Sequence, residues 1–175
     1  MPPLDESGAR SRPWSGALGS STASWTSASG PGSGKTSMSD PDFLDSNILV
    51  YAHDDADPRK REIAQNLMKR AVLGEMFIST QTLAEFSATL LHKFSRQFSP
   101  DEVTGMLDAL APIRLVVPDA GMVRRAVEAH ATYGLHFYDG MIVAAAERGR
   151  CQRIWSEDLN AGQKYFGIGV ENPFK

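Results

Sequence analysis

The sequence predicts an α/β protein with a short central parallel sheet and helices on both of its faces. Short apolar runs that suit buried strands alternate with longer stretches of helical periodicity over residues 41–175. Acidic residues recur where these strands end and helices begin, which is where open α/β sheets bind ligands. The 175 residues, 42% of them hydrophobic, are enough for one ordinary globular domain and a tail.

Residues 1–40 are predicted to be a disordered Ser/Gly-rich extension. They contain 11 Ser and 6 Gly and have no apolar periodicity, so they cannot bury enough surface to offset the entropy of ordering. Met38 comes just before the first predicted strand. The preceding residues are an upstream extension, an expression remnant or a misassigned start, and the sequence leaves these open. The predicted folded domain is therefore 41–175.

One part of this extension, 30–36, is similar to the phosphate-binding loop GxxxxGK[ST]. Its spacing is wrong, because the first Gly would have to stand at position 29, which is Ser29. A phosphate-binding loop also needs a strand before it, and here a Ser-rich stretch precedes. An ATP or GTP site is not expected.

Five short apolar runs are interpreted as the strands. Each is three to five residues long and is bounded by polar or turn residues, which favours a buried strand over a helix. In chain order they are 43–45, 76–78, 113–117, 153–155 and 168–171. Because helices separate them, the strands are predicted to pair in parallel.

Caps mark the helices of the first half. Asp57 caps a helix that begins at Pro58, where proline is well tolerated. Glu85 is predicted in the first turn of the next helix. Ser99 and Glu102 have capping-box spacing, with a proline between them. After an apolar turn at 48–51, these helices are predicted over 58–73, 83–94 and 100–110.

Two more helices are predicted in the second half. Asp119 and Gly134 mark the start and the end of the first, over 120–133. Its apolar side is predicted to contain Val123, Ala126, Val127 and His130. Asp139 opens an apolar run that stops at Gly149, which predicts a buried helix of about three turns.

Four acidic residues are predicted to converge at one edge of the sheet. Asp45 ends the first strand, and Asp158 follows the fourth. Glu85 and Asp139 open the helices after the second and third strands. Carboxylates held close together raise one another's pKa, so such a cluster needs cations. Oxygen ligands without Cys or His favour Mg²⁺ or Mn²⁺ over zinc, and such a site suits phosphodiester hydrolysis.

Four segments that contain these acids resemble the acidic signatures of PIN-domain ribonucleases, in the same order and spacing. They are FLDSNILVY at 43–51, TLAE at 82–85, FYDGMIVAAA at 137–146 and WSEDLNAG at 155–162. The closing VENPF at 170–174 resembles the end of VapC-type toxins, which are paired with an antitoxin in type II toxin–antitoxin systems. The resemblance covers about 42–174.

The resemblance implies a PIN-like three-layer α/β/α fold and a metal-dependent endoribonuclease. Asp45, Asp139 and Asp158 would bind Mg²⁺ or Mn²⁺, directly or through water. Glu85 would complete the acidic pocket and help orient the attacking water.

The resemblance also has implications for the neighbouring residues and for the partners. Asn47 and Ser156 would hydrogen-bond the acids or the scissile phosphate. Gly140 departs from the alanine that is common in the family, which should weaken the helix start slightly without touching the site. The partners would be an RNA substrate and a cognate antitoxin protein, and toxin members often form homodimers.

Each acid also has a purely structural interpretation. Asp45 and Asp139 fit helix caps, Thr82 with Glu85 fits a capping box, and Asp158 fits a turn. Four such coincidences in the family order favour the catalytic interpretation. Glu157 is interpreted as facing solvent, although a shift of one residue in its loop would exchange it with Asp158.

Two alternative functions follow from the same residues. A catalytically silent PIN-fold module that binds RNA or a protein partner would have no reason to keep four mutually repelling carboxylates. A phosphatase that forms an aspartyl phosphate on Asp45 would need a second Asp two residues later, where Asn47 stands.

Charge and composition limit how and where the domain binds. Residues 40–175 have 15 Lys and Arg against 19 Asp and Glu, so RNA binding must depend on local groups and metal ions. The basic group nearest the acids in sequence is Arg148, Arg150 and Arg153. Tyr51, Phe137 and Tyr138 could stack a base, although core packing is favoured for Phe137.

The expected setting is the cytoplasm. A single cysteine allows no internal disulfide, and the chain does not start with a signal-type leader. No apolar run reaches the ~20 residues that span a bilayer, so no membrane association is expected.

Overall fold

The computed structural model describes residues 40–175 of the chain. The predicted extension, except for Asp40, and the sequence at 30–36 lie outside the described residues. The prediction that the folded domain begins near residue 41 is therefore not tested at its N-terminal side.

A mixed, mostly parallel sheet forms the centre of the described domain. Its strands are β1 (Asp42–Leu44), β2 (Met76–Ser79), β3 (Arg114–Val116), β4 (Arg153–Trp155), β5 (Lys164–Tyr165) and β6 (Ile168–Glu171). They lie in the order β3-β2-β1-β4-β6-β5, and all neighbours are parallel except β5 and β6. The predicted parallel sheet is confirmed.

The β5–β6 hairpin was not predicted. Its first strand is only two residues long, too short to leave an apolar pattern in the sequence. Phe166 and Gly167 connect the strands, and both have positive φ angles, of 48° and 88°. Two successive residues of this kind turn a chain tightly enough to join antiparallel strands.

Helices cover both faces of the sheet. They are α1 (Ser46–Tyr51), α2 (Pro58–Val72), α3 (Thr80–Lys93), α4 (Pro100–Leu110), α5 (Ala120–Tyr133) and α6 (Phe137–Arg148). One apolar core lies between the sheet and α1–α4, and the other lies between the sheet and α5 and α6. This three-layer arrangement confirms the predicted α/β/α fold. In the described part of the chain, no helix has the length and apolar character needed to cross a bilayer.

The start of α3 differs from the prediction. The helix begins at Thr80, three residues earlier than expected, because Ser79 caps it and forms a reciprocal capping box with Thr82. Glu85 therefore lies in the second turn rather than the first. The sequence pattern that suggested a Thr82–Glu85 capping box is not used, and the Glu85 carboxylate is available for other contacts.

The buried side of α5 also differs from the prediction. Met122, Ala126 and Ala129 are buried, whereas Val123 and Val127 are 44% and 55% exposed. His130 is exposed too, with Nδ1 2.6 Å from the Leu135 carbonyl oxygen. The prediction of an apolar side through Val123, Val127 and His130 was therefore wrong.

Close packing against α6 explains which side of α5 is buried. A Cβ placed on Gly140 of α6 would lie 2.8 Å from the Ala126 carbonyl oxygen and 3.2 Å from Ala126 Cα. Only small residues allow two helix backbones to approach this closely, so alanines face α6 and the larger valines are left outside. Gly140 is thus a packing requirement, and not merely a weak helix former.

Candidate active site

The carboxylate of Asp45 lies just after β1 and is 6% exposed. Asp45 caps α1, and its Oδ1 accepts a 2.7 Å hydrogen bond from the Ser46 amide. Its Oδ2 accepts hydrogen bonds from Ser156 Oγ at 2.6 Å and from Asn47 Nδ2 at 3.2 Å. Burial raises the pKa of Asp45 to about 6, although the Ser156 and Ser46 donors lower it. Asp45 is therefore a helix cap, and it is also a buried carboxylate whose charged form is disfavoured by burial.

The register of β1 and β4 brings the first and fourth acids together. Leu44 pairs with Trp155 in parallel, so the next residues, Asp45 and Ser156, leave the sheet side by side. Ser156 Oγ then accepts a 3.1 Å hydrogen bond from the Asp158 amide, which folds the loop back toward Asp45. The strand ends thus place Asp158 near the first acid.

Asn47 connects the same two carboxylates. Its Nδ2 lies 3.2 Å from Asp45 Oδ2, 3.1 Å from Asp158 Oδ2 and 3.4 Å from Ser156 Oγ. The two polar residues selected from the sequence, Asn47 and Ser156, are therefore both in contact with the acids. An amide and a hydroxyl that donate to carboxylates hold their orientation without neutralising their charge.

Glu85 approaches the site from α3. Its Oε2 accepts a 2.9 Å hydrogen bond from Ser46 Oγ, and its Oε1 accepts a 2.7 Å bond from Gln81 Nε2. Ser46 and Gln81 were not predicted as site residues. Gln81 had one signal in the sequence, since it precedes Glu85 by four residues and so lies on the same side of the helix.

Asp139 reaches the site from the first turn of α6. It is not the helix cap, which is His136, so its carboxylate is free of that structural role. As predicted from the helix at 120–133, α5 lies between β3 and α6. Burial raises the pKa of Asp139, the charge of His136 lowers it, and Asp158 and Glu85 raise it further.

The four acids are electrostatically coupled, and none of them has a Lys or Arg partner among the described residues. Glu85 and Asp158 each raise the pKa of both Asp45 and Asp139. Over residues 40–175, no Lys or Arg forms an ion pair with any of these four carboxylates. Repulsion of this kind favours a bound cation.

The donors around the acids suit a hard divalent cation with part of its water shell retained. Among the described residues, no three His, Cys, Asp or Glu side chains form a ready metal-binding group. Mg²⁺ commonly binds through one or two carboxylates and keeps several waters, so it does not require such a group. The all-oxygen donor set therefore fits Mg²⁺ or Mn²⁺, whereas it would suit zinc poorly.

The sequence suggested that Glu157 faces solvent, and this prediction was wrong. Its side chain is partly buried and binds Lys60 Nζ at 2.6 Å, and it also accepts a hydrogen bond from the Tyr51 hydroxyl. The Glu157 amide donates to Asn47 Oδ1 at 3.4 Å. This cluster ties the loop that contains Asp158 to α1 and α2.

The arginines proposed as RNA contacts are engaged in structural ion pairs. Arg148 binds Asp119 at 2.8 Å, and its hydrogen bonds lower the pKa of Asp119 to about 2. Arg153 binds Glu171 on the neighbouring strand at 3.1 Å. These contacts use two of the three guanidinium groups to hold the fold together.

Comparison with known proteins identifies relatives of this arrangement. The family model of the PIN domain matches residues 43–166. A toxin–antitoxin complex from Klebsiella pneumoniae is similar with a TM-score of 0.56 and 21% identity, over 76% of this chain and 98% of that chain. Mycobacterium tuberculosis VapC20, a sarcin-ricin loop cleaving toxin, is similar with a TM-score of 0.54 and 16% identity, over 67% and 89%. DNA-bound VapBC from Salmonella typhimurium is similar with a TM-score of 0.54 and 18% identity, over 76% and 98%. At these identities the structures establish the shared fold. Among curated proteins, none matches the chain.

Proposed function

The chain belongs to the PIN-domain family, and from this premise we propose that it is a metal-dependent endoribonuclease, the toxin of a toxin–antitoxin pair. One observation carries the proposal: Asp45, Glu85, Asp139 and Asp158 form a coupled acidic group that no Lys or Arg of residues 40–175 neutralises. A protein that kept this fold only for binding would gain stability by losing these charges. The acids are best explained by a bound cation.

We assign the metal to the three aspartates. Asp45, Asp139 and Asp158 would bind Mg²⁺ or Mn²⁺, directly or through water. When bound, the ion lowers the pKa of an attacking water and offsets the charge that develops on the phosphate. The protein contributes by orienting its ligands: Asn47 and Ser156 hold the carboxylates of Asp45 and Asp158 through the hydrogen bonds described above.

We assign to Glu85 the role of orienting the attacking water and accepting its proton. Its two carboxylate oxygens are held in place by Ser46 and Gln81, so the group has a defined orientation. A carboxylate positioned in this way can accept a proton from the attacking water as the water oxygen bonds to phosphorus and the P–O3′ bond breaks. The departing 3′-oxygen takes a proton from solvent, which leaves a 5′-phosphate and a 3′-hydroxyl.

An antitoxin is the proposed protein partner. Solved structures of the same fold include a toxin–antitoxin complex from Klebsiella pneumoniae and VapBC from Salmonella typhimurium. An antitoxin could silence the enzyme by placing a cationic side chain among the uncompensated acids, which would compete with the metal. We expect both partners, the RNA and the antitoxin, to be met in the cytoplasm.

The test is cleavage of single-stranded RNA by the purified full chain with Mg²⁺, with Mn²⁺ and with a chelator. The Asp45→Asn and Asp139→Asn variants should each be slower by at least about 100-fold, because each loses a carboxylate that would hold the metal ion, and the ion offsets the charge on the reacting phosphate. Growth arrest on expression should be lost in the same variants.

Asp108→Asn is the matched control. Asp108 is exposed on α4 and is not one of the four coupled acids, so the variant loses the same charge at an unrelated place. It should cleave RNA as the unmodified protein does. Full activity in all three variants, or full activity in chelator, would refute the assignment of a catalytic metal site to these acids. No cleavage by the unmodified protein under any of these conditions would favour a silent binding module.

A further inference from the structure

Three aromatic rings are grouped at the start of α6, next to the acids. Phe137 and Tyr138 are 36% and 57% exposed, and their ring centroids are 5.4 Å apart. The ring of His136 lies 5.8 Å from that of Tyr138 and is also exposed. We call these three residues the α6 aromatic cluster.

The exposure of this cluster is unusual within the domain. Over residues 40–175, every other Phe, Tyr and Trp side chain is buried or half-buried. Tyr51, the third aromatic considered from the sequence, packs on Phe174 and hydrogen-bonds Glu157, so its surface is already occupied. Paired aromatic rings left in solvent beside a site favour a ligand that stacks on them.

The cluster is connected directly to the acidic site. Gln81 Nε2 donates to the Tyr138 carbonyl oxygen at 3.1 Å and to Glu85 Oε1 at 2.7 Å, which places the Tyr138 backbone beside Glu85. Asp139 follows Tyr138 in the chain, and His136 acts electrostatically on Asp139. A nucleotide with its phosphate at the acids would have its neighbouring base near these rings.

The charge of the domain explains why RNA binding needs an aromatic surface. Residues 40–175 have fewer basic than acidic residues, and the Arg148 and Arg153 side chains are bound in ion pairs. Attraction to phosphate, the usual source of nucleic-acid affinity, is therefore weak. Stacking does not depend on charge and requires an unpaired base, so it can supply affinity to an acidic domain.

We propose that the α6 aromatic cluster stacks an unpaired base of single-stranded RNA, adjacent to the phosphate that is cleaved. The inference rests on the proposed nuclease function and adds a base-binding position to it. Because every base has a π face, this position selects for an unpaired base more than for a particular one.

Cleavage kinetics of the full chain on a single-stranded oligouridine RNA with one 2-aminopurine test the inference. Tyr138→Ala should raise KM by about 5- to 150-fold and leave kcat nearly unchanged, since stacking contributes to binding. Tyr138→Phe keeps the ring and should keep the KM. The 2-aminopurine fluorescence should be quenched on binding to the unmodified protein, and less by Tyr138→Ala. Val127→Ala, which truncates an equally exposed side chain on α5, should behave as the unmodified protein does.

RNAs with one abasic nucleotide at successive positions separate stacking from general damage. One position should weaken binding to the unmodified protein, and the same position should have no further effect in Tyr138→Ala. If the unmodified protein does not cleave RNA at all, the proposed function itself fails.

If the unmodified protein cleaves RNA, and neither the abasic position nor Tyr138→Ala changes KM, only the stacking inference is overturned. A fall in kcat alone would instead make the cluster a support for Asp139. An unchanged KM combined with poorer co-purification of the protein encoded by the neighbouring reading frame would assign the surface to that protein. Both of these outcomes would also overturn the inference.

Discussion

The Gly140→Ala substitution should destabilise the protein although alanine is the better helix former. The new Cβ would lie 2.8 Å from the Ala126 carbonyl oxygen, and ordinary contact begins at 3.4 Å. The obstacle is backbone, so α6 must move away from α5 by about 0.6 Å, which a close-packed core resists.

The size of the effect follows from two opposing terms. Overpacking of this kind costs about 1–3 kcal/mol. Alanine in place of glycine inside a helix returns about 1 kcal/mol of that. The free energy of unfolding should therefore fall by roughly 1 kcal/mol, and Tm by about 4 °C. Metal affinity should fall as well, because Asp139 precedes Gly140 and moves with α6.

Gly105→Ala provides the matched control. Gly105 lies inside α4, and nothing is within 4 Å of a Cβ at that position. Its replacement should raise the free energy of unfolding by about 0.5–1 kcal/mol, since only the helix preference changes. Urea denaturation followed by circular dichroism measures both variants. Equal stabilisation by the two substitutions would refute the close-packing argument for α5 and α6.

Four other predictions concern the acidic site and its supports. Burial raises the pKa of Asp45 to about 6 in the folded protein from 3.8, so metal-free protein should lose stability as the pH rises from 4 to 7, and Mg²⁺ should restore it. The affinity for Mg²⁺, measured by calorimetry, should be about tenfold weaker at pH 5 than at pH 7, because the ion requires the ionised carboxylate of Asp45. An affinity that does not change with pH would contradict this dependence on ionised Asp45. Ser156→Ala removes a buried hydrogen-bond donor to Asp45. The substitution should lower the free energy of unfolding by about 1–3 kcal/mol and slow cleavage about 10- to 100-fold. Unchanged cleavage rates would show that Ser156 does not support Asp45 in catalysis. Lys60→Met leaves Glu157 without its cation and should slow cleavage about tenfold. Lys69→Met, on the exposed side of the same helix, should not slow it. Equal rates in the two variants would show that the Lys60–Glu157 ion pair does not position the loop that contains Asp158.

Local signals in the sequence were enough to predict most of the secondary structure. Asp57, Ser99 and Asp119 cap the helices they were expected to cap, and Gly134 ends α5 in the left-handed conformation. Capping depends on neighbouring residues alone, so it can be recognised without knowledge of the fold. The parallel sheet could be predicted because strands and helices alternate along the chain, which is also visible in the sequence alone.

The acids were also identified from sequence, but their environment was not. The position of Asp45 after a strand was visible, and Asn47 is only two residues away. The contacts of Ser156 with Asp45 and with Asn47, in contrast, join residues about 110 positions apart. Ser46 was missed for the same reason, since its partner Glu85 is reached only through the packing of α1 on α3. Gln81 was missed although it lies four residues before Glu85 on the same helix, which is a local signal.

Sequence alone thus predicted most of the elements apart from β5, their order and the four acids that the fold brings together, because these depend on short-range backbone and side-chain preferences. Tertiary structure decided which side of α5 is buried, why residue 140 must be glycine and how Glu157 is paired. These features arise where two elements meet, and the free energy of a contact belongs to both partners. A pattern along one helix cannot reveal how closely another helix will approach it.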